Sequence, residues 1–338
     1  MKKRTIIIDQ GETIRYGYND EEKCKEIKDL EKYDKEETKE REINWKIFEE
    51  NMRNILTTDE EKKNVIITEK PFSLEIDQDY KIWDKKYQQK RENMTKILFE
   101  NNNVELLYLV TDATLSLYST GKTSGLVFDL GSENSYCVPI VDGYCHRNAL
   151  RTNISANTIN NYIRDVVQSN TVNIDNNFID YKKNCITSST PIKYLSNDNK
   201  SYKLPDGNTV FVPDYSNIPE IYFQPSLFSL KSSSLSSLYS HILSSSHNES
   251  HQICSESIVL TGSSSLYKNF NNRLLSELKP LVKSCYTTKI YSLAPDLLPS
   301  SVWIGGCILS SLSSFSPLML SRQEYSEGGV SMVHRKCY

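Results

Sequence analysis

Two segments of this sequence carry an aspartate with a glycine two residues on, Asp9-Gln10-Gly11 and Asp129-Leu130-Gly131. Each aspartate ends an apolar, β-favouring run, TIIID in the first and LVFD in the second. Strand-turn-strand hairpins built this way suit a phosphate clamp: turn N–H groups bind phosphate oxygens, while the carboxylates hold waters of a magnesium ion. Taken singly, the same tripeptide is more readily a plain hairpin turn with a capping aspartate.

Other motifs carry less. Gly121-Lys122-Thr123 looks like the tail of a phosphate-binding loop, but Ser116 stands where the first glycine is needed and the segment follows a helical pattern instead of opening one. The five histidines (146, 241, 247, 251 and 334) have no spacing that suggests a metal or a nucleophile pair, and no Ser/His/Asp order with a nucleophile elbow occurs. Eight cysteines are scattered singly with no CxxC pair, so they read as reduced thiols.

The chain is long enough, at 338 residues, for one large two-lobed body or two separate cores. Its net charge of -3 gives no basic field to recruit nucleic acid or an anionic membrane. The basic N-terminus passes straight into IIIDQG without a signal-like apolar region, and no 18-residue apolar run follows. A soluble intracellular protein is expected.

The elements that would position the two aspartates follow in order. Residues 4–11 and 15–18 predict a hairpin; 19–42 are mostly charged, predicting a solvated helix or an arm. Helical periodicity covers 45–56, a strand 65–68, and 74–92 read as an exposed insertion. A helix at 94–100, a strand at 104–110, a helix at 112–120 and a second hairpin across 125–144 then alternate as an α/β fold requires. Residues 155–255, rich in Asn and then Ser, predict loops and short helices with disorder around 244–252. Order returns with a strand into a Gly/Ser turn at 258–267 and an amphipathic helix after it.

The last 38 residues, SVWIGGCILSSLSSFSPLMLSRQEYSEGGVSMVHRKCY, are similar to the C-terminus of actin almost residue for residue, including WIGG, QEY and the closing VHRKC before an aromatic. Earlier segments agree in the same order: Ile43 to Trp45, Thr68-Glu69 with Pro71, MTKILFE, LSLYSTGKTSG, VPIVDGY, LPDG, FQPSL and LTGSSSLY. The chain therefore resembles a divergent, shortened member of the actin family. That resemblance implies an α/β, two-lobed ATPase fold of duplicated ribonuclease H-like domains around a central nucleotide cleft. The first lobe would comprise 1–119 with 301–338, its outer subdomain reduced to about 19–42. The second would comprise 120–300, with an outer part at about 155–230.

The resemblance also assigns site positions. ATP or ADP with Mg is the implied cofactor, with Asp9 and Asp129 holding the metal through water. Gln10, Gly11, Glu12 and Arg15 form one phosphate turn, Gly131 and Ser132 the other. Gly262, Ser263, Ser264 and Tyr267 match the adenosine loop, where small residues let the backbone come close; the serines also suit a helix N-cap. Several positions depart from the family. Glu12 stands where a serine meets the γ-phosphate, and a carboxylate about 4 Å from a phosphate charge costs roughly 4 kcal/mol at an effective dielectric near 20. Asp112 replaces the glutamine that orients the attacking water, and Tyr136 replaces a histidine beside it; an aspartate accepts but does not donate. Ser132-Glu133 replace Asp-Gly, Pro299 replaces a lysine beside adenine, and Lys182 falls roughly at a nucleoside-contacting glutamate. Hydrolysis is expected to be weak or absent.

By the same resemblance, the partners are actin, actin-binding proteins or other actin-related subunits, with no nucleic acid and no membrane span. The setting is the cytoplasm and cytoskeleton, with the nucleus open as well. The shortened outer subdomain removes a longitudinal filament contact, so an alternative role is a non-enzymatic interaction subunit, either a filament cap or a component of a chromatin or dynein-linked complex.

Overall fold

The structure, a computed structural model, describes residues 4–11, 13–28, 44–56, 62–76, 80–146, 148–168, 199–203, 209–213, 218–246 and 248–337. The first apolar run forms β1 (Thr5–Gln10), which reverses around Gly11 into antiparallel β2 (Thr13–Tyr18), with Asp9 opposite Arg15. A short strand, β3 (Lys25–Lys28), pairs with β2 and sets Ile27 opposite Ile14. This corrects the helix or arm expected there; the rest of the charged segment, 29–42, lies outside the described residues.

The chain then runs through α1 (Trp45–Leu56) to β4 (Lys63–Glu69), parallel to β1, and through α2 (Tyr80–Asn101) to β5 (Val104–Thr111), parallel to β4. Both faces of this sheet are covered, which is why β1 and β4 are buried along their whole length. Ile6 and Ile8 pack with Phe48, Met52, Leu98 and Phe99 on one side. Ile7 points the other way, among Leu115, Trp303 and Phe315. The stretch 74–92, expected as an exposed insertion, is in its larger part the N-terminal half of α2, with Lys85, Lys86, Gln88 and Gln89 exposed as expected. Arg91 there is buried, pairs with Glu69 at 3.0 Å and donates to the Cys337 carbonyl at 2.8 Å.

After α3 (Asp112–Ser119) the plan repeats. Antiparallel β6 (Gly125–Leu130) and β7 (Ser135–Val141) set Asp129 opposite Tyr136, and β8 (Tyr144–Cys145) and β9 (Leu150–Thr152) both pair with β7. Beyond α4 (Ala156–Gln168), β10 (Asn199–Lys203) and β11 (Thr209–Pro213) form a separate antiparallel pair. Next, α5 (Leu235–Ser245) and α6 (Asn248–Glu256) lead to β12 (Ser257–Thr261), parallel to β6; α7 (Phe270–Leu278) then leads to β13 (Lys289–Tyr291), parallel to β12. Disorder around 244–252 is also corrected, since both flanking segments are helical. The serines of α5 sit between Leu235, Leu238, Tyr239, Ile242 and Leu243, which are buried at helical spacing against Phe128 and Leu260.

The C-terminal segment returns to the first sheet. In α8 (Ser301–Ser311), a side chain on Gly305 would run into the Leu115 carbonyl of α3, and one on Gly306 would meet Ile7. The paired glycines therefore let α8 lie directly on α3 and β1. Trp303 Nε1 donates to the Gly17 carbonyl at 3.3 Å, and Leu320–Ser321 adds an antiparallel strand beside β5. Among the described residues no helix is long and apolar enough to cross a membrane. Seven cysteines are free thiols, and Cys185 lies outside the described residues.

Candidate functional site

The two hairpins end at one cavity of about 280 Å³. Its wall includes Asp9, Gln10, Gly11 and Arg15 from the β1–β2 hairpin, and Asp129, Gly131, Ser132 and Tyr136 from the β6–β7 hairpin. Asp112, Gly262, Ser263 and Pro299 also line it. Residues more than a hundred positions apart thus share one chamber, because β6 repeats in the second sheet the position of β1 in the first. The Gly121-Lys122-Thr123 segment is not part of this wall.

Other predicted positions fall elsewhere. Ser264 and Tyr267 are buried and are not on the wall; Tyr267 packs into the hydrophobic core beneath the second sheet. Glu12 and Lys182 lie outside the described residues, as does the LPDG segment. Arg15 is engaged by Glu26 at 2.8 Å, so its charge is shared with a carboxylate of β3.

Gly262 has φ +88° and ψ 149°, a conformation open to glycine and strained for other residues. A Cβ there would lie 2.3 Å from the Leu130 carbonyl oxygen. This glycine therefore keeps the β12 turn pressed against the end of β6, where Ser263 and Leu266 reach the wall. Leu266, Leu298, Pro299 and Val302 supply apolar surface of the kind a planar base would cover. The volume is near the lower limit for ligand pockets, which begin at about 300 Å³.

Lys70, which in the sequence is only part of a Glu-Lys-Pro turn, occupies the floor. Its Nζ is 2.5 Å from Asp112 Oδ2 and 3.3 Å from Asp129 Oδ2, and lies 5.5 Å from the centre of the Tyr136 ring. Burial works against the ammonium, but Asp112 and Asp129 together outweigh it and hold Lys70 protonated well above the ordinary lysine range. Asp129 is pushed upward, mainly by burial and further by Asp112, with Lys70 pulling against both. Burial likewise raises Tyr136, so its phenol stays neutral. Asp112 has both oxygens in use, since the Ala113 N–H donates to Oδ1 at 2.8 Å. Just before Lys70, Thr68 ties the other turn: the Gln10 N–H donates to Thr68 Oγ1 at 2.8 Å, and that hydroxyl donates to Asp9 at 3.3 Å.

These contacts bear on the expected magnesium. A divalent ion held about 5 Å from the Lys70 ammonium would be repelled by roughly 7 kcal/mol at an effective dielectric near 20. Of the two aspartates expected to hold the ion, Asp129 already faces this ammonium, and Asp112 beside it faces the same one, so the side chains present do not fit a metal between Asp112 and Asp129. Among the described residues, no three His, Cys, Asp or Glu side chains converge on a point that could hold a metal ion.

Two lobes, each a hairpin extended by parallel strands and covered by helices, with one cavity walled by both hairpin turns, define a duplicated α/β protein with an inter-lobe cleft. Comparison with protein-family models matches this chain to Actin over residues 38–199 and 182–338. The chain belongs to the actin family, and its two-lobed α/β fold is that of an actin-like protein.

Proposed function

We propose that this chain is an actin-like cytoskeletal protein of the cytoplasm that holds ATP or ADP in the inter-lobe cleft and hydrolyses it weakly or not at all. The observation that carries this reading is the convergence of two Asp-x-Gly turns, Asp9 to Gly11 and Asp129 to Gly131, on one cavity. Backbone N–H groups of these turns other than that of Gln10, which donates to Thr68, would bind phosphate oxygens, and the apolar wall with the Gly262 turn would receive the nucleoside. Slow hydrolysis follows from Asp112. An aspartate side chain lacks the N–H donor of a glutamine amide, and Lys70 and the Ala113 N–H already draw on both of its oxygens, so it is poorly suited to orient an attacking water. The same reading divides the chain into lobes at 1–119 with 301–338 and at 120–300.

Titration with a fluorescent ADP analogue tests it. Saturable binding displaced by unlabelled ADP and ATP is expected, with no phosphate released from ATP above the buffer blank. Failure of the analogue to bind at micromolar protein would end the nucleotide reading.

A second reading is favoured by chain length. Only 16 residues separate the end of β3 at Lys28 from the start of α1 at Trp45, little for the outer subdomain whose loop grips the next subunit in a filament. The protein would then act as a cap or subunit bound to actin or an actin-related partner. Co-sedimentation with filamentous actin, with no light scattering when the chain is incubated alone, is the result that separates this role from self-assembly.

A further inference from the structure

Lys70 follows the last residue of β4 in the first lobe, yet its ammonium reaches Asp129 in β6 of the second. The segment it belongs to holds both turns at once. Thr68 bonds to Asp9 and Gln10 of one, and Lys70 to Asp129 at the base of the other. An ammonium has three N–H donors; two are directed at Asp112 and Asp129, while the side chain remains 37% exposed on the cavity it lines. A positive charge fixed to the chain therefore sits between two carboxylates from different lobes, at the junction where a bridging cation would otherwise be needed.

We propose that Lys70 is a built-in cation that takes the place of a divalent metal between Asp112 and Asp129, so that the cleft accepts the phosphate end of a nucleoside diphosphate without magnesium. The nucleotide half of this inference rests on the function proposed above; the metal half stands apart from it. A tethered ammonium cannot dissociate, so the cleft keeps its cation whatever the metal concentration. It also brings one charge where a divalent ion brings two, which favours a diphosphate over a triphosphate.

Two titrations test the proposal. In the first, Mn²⁺ alone is added to the full chain and followed by electron paramagnetic resonance. The wild-type protein is expected to leave Mn²⁺ free, whereas Lys70→Ala should acquire one bound ion per chain and Lys70→Arg should not. In the second, the ADP analogue is titrated in EDTA and in magnesium. Wild-type affinity should agree within about twofold between the two buffers, while Lys70→Ala should bind at least about tenfold more weakly in EDTA than in magnesium. The inference is overturned if wild-type protein binds Mn²⁺ as tightly as Lys70→Ala, or if its ADP binding disappears in EDTA. Absence of ADP binding in both buffers would defeat the nucleotide reading, leaving Mn²⁺ to decide the metal half. Should Lys70→Ala fail to fold by circular dichroism, the wild-type and Lys70→Arg titrations still decide the matter: Mn²⁺ bound by either protein would overturn the inference.

Discussion

Replacing Arg273 by methionine is expected to lower the free energy of unfolding by about 3 to 5 kcal/mol, because it removes the cation from the buried Glu220 carboxylate and leaves it the Gln224 amide donor at 2.7 Å. Arg273 is fully buried on α7, and Glu220 is 1% exposed. The guanidinium donates through Nε and Nη2 to the two Glu220 oxygens at 3.1 and 2.6 Å, through Nη1 to Glu277 at 2.5 Å, and lies 4.5 Å from the Phe223 ring centre. The cluster anchors α7, the helix that follows the Gly262 turn, to the 218–222 segment. Removing both charges should cost far less than removing one, so Arg273→Met with Glu220→Leu is expected to recover most of the loss. Urea midpoints for the two variants and the wild type measure this. A single-variant change within about 0.5 kcal/mol, the size of an ordinary surface substitution, would contradict it.

Gly262→Ala should be comparably severe and should act on the cleft as well. The positive φ carries a strain of about 1 to 3 kcal/mol for alanine, and a methyl 2.3 Å from the Leu130 carbonyl oxygen must push β12 and β6 apart. The combined cost is expected to reach about 3 kcal/mol or more. Where the turn yields, the cavity wall shifts and affinity for the ADP analogue should fall at least about tenfold. A variant with wild-type urea midpoint and wild-type ADP affinity would contradict the role given to this glycine.

The two hairpins were legible because each opens with an apolar run ended by an Asp-x-Gly turn, and the parallel strands between them because VIIT and VELLYLV are short apolar runs bounded by polar residues. The helix α2 was not. Its segment KKYQQKRE offers little apolar periodicity and is mostly exposed, and what ties it down is polar: the buried Arg91 reaches Glu69 and the Cys337 carbonyl. In the Ser-rich stretch the short helix at 235–245 agrees with the short helices expected there, its leucines and isoleucine holding a helical repeat, while the disorder expected around 244–252 was suggested by polar composition alone. In β3, one apolar residue opposite Ile14 was too little signal for a strand.

The candidate site was legible in its carboxylates and glycines but not in its cation. Lys70 is 42 residues from Asp112 and 59 from Asp129. Its importance arises only when β4 pairs with β5 on one side and β1 on the other, bringing the end of β4 to the cleft. No local pattern marks a lysine in a Glu-Lys-Pro turn as the partner of two distant aspartates. Asp112 could be recognised as altered, yet what holds it in that altered state comes from tertiary pairing.

Nucleotide binding as proposed requires the Asp9 and Asp129 turns to face one another across the cleft they line. The most direct test is a structure determined with ADP in the crystallisation drop. Electron density is expected for the diphosphate between the Gly11 and Gly131 turns, beside Lys70, and for the base against Leu266 and Leu298. A nucleotide bound on another surface, or Asp9 and Asp129 found on faces that one diphosphate cannot span, would contradict it.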